Sequence, residues 1–425
     1  MMNLDQFLNN DTILKLRNKA HQLKKDPNFI VSDIVDDQHH QYVDLVQEGG
    51  GILGIALLGY TYIMEEAGIR FFNLAGTSAG SINALLMATT GQINEKKSER
   101  ILGYLKDQNL FDFVDGPERV KRLLQKAIAS RGRYKVVALK LLKNALLIKK
   151  LLKKRMGVNP GKAFENWLKN ILEKHQASTL EALQTALRQI PHLHHREHIE
   201  IHYDAVKLAI ISAEVTTKTK VEFPKMAHLY WDLTKNSPHP ASFVRASMAI
   251  PFFFEPLTLK NLPGAGQSNH PEWMEYAGYR GAIPSEVKFV DGGLVSTFPI
   301  NAFHIKNRLP NKPTFGVRLS TFREEPADTS HFPGFMGGML GTMRQIHDLD
   351  FLLRNDDYKQ LICRINADKQ FNWLNYNLPD QEKVELFNLG ATRAMEFLDN
   401  FRWDYYKETR KVLINERPSM IKHYL

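Results

Sequence analysis

Tyr42-Val43-Asp44-Leu45-Val46 is a run of β-forming residues, and Gln47-Glu48-Gly49-Gly50-Gly51 follows it directly. Residues 52–66 are then mostly apolar at helical spacing. A second β-type run spans 70–75, Gly76-Thr77-Ser78-Ala79-Gly80 closes it, and residues 78–89 form a second apolar helix rich in small side chains. Strand, glycine loop, helix, strand, tight turn, helix is the opening of an α/β fold with a largely parallel sheet.

Working outward, strand signals return at 205–215, 226–231, 288–290, 314–319 and 361–365. Helical patterns cover 343–353 and 381–398. Residues 92–201 carry almost no strand signal and several basic helices, which reads as a helical insertion. Residues 1–40 hold a polar helix over 11–25 and an acidic, turn-rich stretch, an arm rather than a domain. The expected organisation is therefore an arm over 1–40 and one catalytic domain over 41–425. The motifs fall within 42–300, and 301–425 is a C-terminal α/β extension. The Pro, Gly and Asn of 261–281 mark the best candidate for a mobile loop.

Hydrophobic residues make up 43% and charged residues 24% of the 425, the mix of a globular protein. Cys363 is alone, so no internal disulfide forms, and its apolar neighbours predict burial. The start lacks a basic segment followed by an apolar one, and the longest charge-poor stretch, 52–64, is too short to span a membrane. A cytoplasmic location, peripheral at the membrane, is the expectation. The net charge of +10 is concentrated: 119–155 contains 14 Lys or Arg and no acid. That block calls for an anionic partner. Tyr134 is its only aromatic, which disfavours nucleic acid, where stacking residues are needed. Within it, Leu141, Leu142, Ala145, Ile148 and Leu152 align on one helical face with Lys140, Lys143, Asn144, Lys150 and Lys154 mostly opposite. A basic amphipathic helix of this kind suits an anionic membrane surface, with Lys149, Lys150, Lys153 and Lys154 as docking residues. A helix packed on the core with its lysines in water has the same periodicity.

Chemistry gathers at three places. Gly76-Thr77-Ser78-Ala79-Gly80 matches G-x-S-x-G between a strand and a helix, where small neighbours let a strained turn expose the serine hydroxyl. Gly49-Gly50-Gly51, in a loop closed by Gly54, offers backbone N–H groups to an oxyanion or phosphate. The loop lacks the Gly-Lys-Ser/Thr of a P-loop. Its G-x-G-x-x-G lacks the acid expected at the end of the next strand, so a nucleotide role fails, and a plain tight turn remains open. Val290-Asp291-Gly292-Gly293 puts an aspartate at a strand end, a place for a general base as well as a common turn.

The glycine loop, G-x-S-x-G and Asp-Gly-Gly, in that order over residues 42–300, resemble the patatin-like phospholipase family. Ala246-Ser247-Met248-Ala249-Ile250-Pro251 with Phe254 and Pro256 resembles that family's segment before the aspartate. The resemblance implies a three-layer α/β fold with a helical insertion and a lipid acyl hydrolase needing no cofactor. It further implies Ser78 as nucleophile, Asp291 as base without a histidine, and an oxyanion hole from the loop of Gly49, Gly50, Gly51 and Gly54. Glu48 and Leu53 stand where the family often has Asp and a basic residue, which weakens any preference for a phosphate beside the cleaved ester. A free aspartate has a pKa near 3.9, so a water-poor site must make it an effective base.

Two other classes compete. An α/β-hydrolase would follow the order Ser, Asp, His, and His304 is the first histidine after Asp291, in an expected helix over 301–306. A binding or scaffolding protein could use the glycine loop alone. His192, His194, His195, His198 and His202 lie near Glu197 and Glu200 without H-E-x-x-H order, so a solvated connector is the simpler reading and no metal is assigned. Residues 250–254, with three phenylalanines, fit an acyl groove or the core equally.

Overall fold

The computed structural model describes residues 3–106, 108–122, 145–197, 201–305, 307–321 and 348–421, with isolated positions between 322 and 347. Its strands are β1 (Ile34–Asp36), β2 (Gln41–Gln47), β3 (Ile69–Thr77), β4 (Gly157–Asn159), β5 (Leu193–His195) and β6 (Leu208–Glu214). Then come β7 (Thr219–Phe223), β8 (Phe252–Phe254), β9 (Leu257–Lys260), β10 (Glu286–Asp291), β11 (Thr314–Arg318) and β12 (Ile362–Arg364). Helix α1 covers Leu4–Leu8, α2 Asp11–Lys25, α3 Gly54–Glu66, α4 Ala79–Thr89 and α5 Ser98–Lys106.

The main sheet has the order β12-β11-β2-β3-β6-β10-β9. Pairing is parallel from β12 through β6 and antiparallel at β6–β10 and β10–β9. Helices flank this open sheet in three layers, the α/β architecture that the strand and helix alternation predicts. Strands β2 and β3 are buried along their whole length, which is why their apolar residues do not alternate with exposed polar ones. Chain order runs from β2 outward to β6 on one side and returns to β11 and β12 on the other. The strand order thus reverses beside β2, and the loops after β2 and β3 leave from the carboxyl edge there, where open α/β sheets form sites.

One packing contact fixes α3. A Cβ on Gly59 would collide with Phe387 O, and one on Gly390 with Ala56 O, so α3 and the Asp380–Asn400 helix touch backbone to backbone. The helix that opens from the glycine loop is therefore clamped by the C-terminal extension. At the other end of the chain, Ile13 and Ala20 of α2 are fully buried, and the Phe7 ring meets Phe387 edge-on at 5.6 Å.

Several expectations are corrected. Residues 226–231 are not a strand: Ala227–Leu229 is a short 3-10 helix, and the strand is β7, just upstream. The aromatic signal there reflects burial, since Tyr230 and Trp231 join a ring cluster with Phe223, Phe243 and Phe289. The insertion does contain short strands, β4 and β5, too brief to show a period. Residues 261–281 include a helix, Pro271–Ala277, whose Trp273 is buried against Tyr230. Residues 301–303 form a turn rather than a helix, and His304 follows it in irregular chain. The helix expected over 343–353 falls partly outside the described residues, and 348–354 are helical. Cys363 is buried in the core and its thiol is pushed up by desolvation.

Candidate active site

Ser78 stands between β3 and α4 with φ +51° and ψ −118°, a conformation that L residues rarely adopt. The turn is possible because Gly76 and Gly80 carry no side chain. A Cβ on Gly76 would run into the Gly80 backbone, and one on Gly80 into Gln47 O of β2. Ser78 N–H donates to Ser247 Oγ at 2.9 Å, and Ser247 Oγ donates to Ile211 O of β6 at 2.6 Å. A single buried serine thereby ties the strained turn to the neighbouring strand.

Strand register brings Asp291 to the same height. Thr77 pairs with Ile211 across β3 and β6, and Asp291 pairs with Ser212 across β6 and β10. Ser78, one residue past Thr77, and Asp291 are therefore level with one strand between them. Two strand spacings come to roughly 10 Å, which a serine and an aspartate directed toward each other can close. Asp291 N–H donates to Ala249 O at 2.9 Å, which fixes its backbone, and its Oδ1 accepts Gly293 N–H at 2.7 Å, which orients the carboxyl. Gly292 packs against Ile211 O, where a Cβ would not fit.

The four glycines of the loop divide by role. Gly49 N–H is spent on Thr297 O at 3.0 Å, and Gly54 N–H turns back on Gly51 O and Ile52 O. These two are corrections to the expected donor set. Gly54 serves close packing instead, its missing Cβ facing the Ala79 methyl. Gly50 and Gly51 N–H meet no acceptor among the described residues, and neither does Ala79 N–H at the start of α4. Gly51 has φ +55°, and a Cβ there would strike Trp373 O, which accepts Ile52 N–H at 3.0 Å. Glu48, at the place of the family's Asp, accepts Leu319 N–H at 2.6 Å, Ser320 N–H at 2.8 Å and Ser320 Oγ at 2.7 Å. Its carboxylate caps the end of β11 and anchors the loop, while Leu53 is simply core.

Residues that the sequence reading missed complete the arrangement. Thr77 Oγ1 donates to Ser296 O at 2.9 Å, so residues 296–297 hold both the serine turn and the glycine loop. Asp348 fixes that segment, accepting Ser296 Oγ at 2.6 Å and Phe298 N–H at 2.9 Å. Burial pushes its carboxyl up to about 6, opposed by those two hydrogen bonds and by Lys220, and aided by Glu48. Tyr376 is stacked on Phe253, and burial, with a smaller push from the Asp291 charge, drives its hydroxyl pKa up. No local signal marked Asp348, Trp373 or Tyr376, because only the tertiary fold brings them here.

A cavity of about 70 Å³ opens at Ser78. Ala79, Ile82, Asn83 and Leu86 line it at helical spacing along α4, with Ile55 and Leu58 of α3 opposite. Leu105 of α5, and Phe113, Phe164 and Trp167 from the insertion, complete its apolar walls. The phenylalanine run is not among them: Phe252 is 65% exposed, Phe253 stacks on Tyr376, and Phe254 is in the core. His304 is elsewhere. It bonds Tyr358 Oη at 2.9 Å, and its chain neighbours Phe303 and Ile305 line a different cavity with Asp44, Lys207 and Thr314, near the amino ends of β6 and β11. Of the expected docking lysines, Lys150, Lys153 and Lys154 are exposed on the Ala145–Arg155 helix, which also contains Lys149. Leu141, Leu142, Lys140, Lys143 and Asn144 lie outside the described residues. No helix among the described residues is long and apolar enough to cross a membrane.

A family model for patatin-like phospholipases matches residues 45–304, more than half of the chain, and the chain belongs to that family, whose members are lipid acyl hydrolases. The protein is 27% identical over 373 residues to the uncharacterized protein YqhO of Bacillus subtilis (strain 168), covering 86% of this chain and 100% of that one. Among solved structures, VipD from Legionella pneumophila aligns with 90% of this chain and 72% of its own, at 15% identity and a TM-score of 0.34.

The folded value for Asp348 lies above the ordinary carboxyl value of 3.8, so its contribution to stability is full below about pH 4 and is lost as pH rises through about 6. Asp348→Asn keeps an acceptor for Phe298 N–H and can donate to Ser296. Urea melts should show wild type losing stability relative to this variant between pH 4 and 7, by on the order of 3 kcal/mol. A pH-independent difference would mean that Asp348 titrates normally.

Proposed function

We propose that the protein hydrolyses acyl esters of lipids, phospholipids or lysophospholipids among them, with Ser78 as nucleophile and Asp291 as base. The observation behind the reading is the level placement of the strained Ser78 turn and Asp291, with Ser78 on the wall of an apolar cavity. Ser78 Oγ attacks the acyl carbonyl while its proton passes to Asp291. Gly293 N–H donates to Oδ1 and orients the carboxylate that takes this proton. The oxyanion meets Gly50, Gly51 and Ala79 N–H, donors worth roughly 3 kcal/mol each at such sites. The leaving alcohol takes the proton back, and Asp291 then activates water to release the fatty acid from Ser78. The domain limits proposed are those of the sequence reading, with 301–425 contributing the second support of the site through Asp348, Trp373 and Tyr376.

A pure binding role would leave Ser78 under no need of a strained turn. A triad through His304 has its histidine bonded to Tyr358 instead. Ser78→Ala and Asp291→Asn should each remove turnover of a fluorogenic acyl ester while both proteins melt as wild type. The double variant should be little worse than either single one, because the two groups act together. Near-normal turnover by Asp291→Asn would defeat the dyad.

The cavity selects chain length. Each added methylene buried there contributes at most ~0.8 kcal/mol, about fourfold in kcat/KM. Rates on p-nitrophenyl esters should therefore climb from acetate toward longer chains. Leu105→Trp should flatten the climb, losing about tenfold on a long chain while sparing the acetate. A Leu105→Trp profile parallel to wild type would place the acyl chain elsewhere.

Access to bilayer substrate is proposed through the insertion. Strand β4 follows the Ala145–Arg155 helix and pairs with β8, so the end of that basic helix runs into Met156, 48% exposed, and on to the strand paired beside exposed Phe252. Cations beside an exposed apolar tip suit an anionic membrane surface, at ~1 kcal/mol per lysine. Replacing Lys149, Lys150, Lys153 and Lys154 by Glu should weaken sedimentation with anionic vesicles and slow turnover on them, yet leave a soluble short-chain ester untouched. Equal vesicle binding by variant and wild type would contradict the docking role.

A further inference from the structure

Strands β1 and β5 form an antiparallel ribbon in which Val35 faces His194 and Asp36 faces Leu193. One step further along that ladder, Asp37 comes opposite His192. His192 and His194 are two residues apart, so their side chains emerge on the same face. Their rings are 5.9 Å apart, and Asp37 Oδ1 lies 3.0 Å from His192 Nδ1 and 3.9 Å from His194 Nδ1. All three donor atoms fall within 4.8 Å of one another.

With metal–nitrogen and metal–oxygen bonds of roughly 2.0–2.2 Å, the ligand atoms of a tetrahedral zinc centre stand about 3.3–3.5 Å apart. The observed separations bracket that value, and small rotations of exposed side chains would reach it. The nearby acids and histidines are engaged separately. Asp36 holds His40 Nδ1 and Tyr42 Oη, and His195 faces Asp33. Asp37, His192 and His194 are therefore a distinct group. We propose that they bind Zn²⁺ through two imidazole nitrogens and one carboxylate oxygen, with water completing the sphere. The ion would clip β1, near the start of the chain, to β5, where the insertion returns. Val35 pairs with Gln41 at the amino end of β2, the end of the strand opposite the glycine loop, so the role is structural.

The test is isothermal titration of EDTA-treated protein with ZnCl₂, alongside thermal melts with and without the ion. Wild type should take up one high-affinity Zn²⁺ and melt at a higher temperature with it. His192→Ala/His194→Ala, on exposed side chains, should melt as wild type in EDTA, bind at least tenfold more weakly and lose the zinc-dependent rise. Asp37→Asn should fall between. Either no uptake by wild type, or uptake and stabilisation equal in the double variant, overturns the proposal.

Discussion

The candidate site depends on a set of hydrogen bonds made by the loop after Asp291. Ser296 O takes the Thr77 hydroxyl, Thr297 O takes Gly49 N–H, and Asp348 secures the loop from behind. One short segment thus sets the relative positions of the serine turn, the glycine loop and the aspartate. The bonds are buried, where leaving a donor or acceptor unmet costs ~1–3 kcal/mol, so the three loops hold one geometry. Catalysis by positioned donors needs that rigidity, because the donors must already face the developing charge.

The strained turn requires support of its own. A serine at positive φ persists only where the surroundings over-determine it. Here Gly76 and Gly80 remove the steric conflict, and Ser247 ties Ser78 N–H to β6. Behind them the crossing at Gly59 and Gly390 locks α3, so the start of that helix holds the glycine loop against Ala79.

Local features were legible in the sequence and tertiary ones were not. The β2 and β3 runs, the α2 and α3 helices and the serine turn all follow from patterns a few residues long. Which glycine N–H groups stay open is decided by contacts with Thr297 and by the 3-10 turn after Gly51, and no spacing rule carries that information. Asp348 looks like any acid in a polar stretch until the fold delivers it to Ser296. Residues 226–231 read as strand because buried aromatics and strand residues share a composition. The histidines near 192 likewise read as a connector, and only the β1–β5 register joins two of them to Asp37.

Covalent trapping shows directly whether Ser78 is the reacting nucleophile. Intact protein treated with a long-chain fluorophosphonate and analysed by peptide mass spectrometry should carry one adduct, on the peptide containing Ser78. Labelling should vanish in Ser78→Ala and be strongly slowed in Asp291→Asn. An adduct on a different residue, or undiminished labelling of Ser78→Ala, would mean that another residue is the nucleophile.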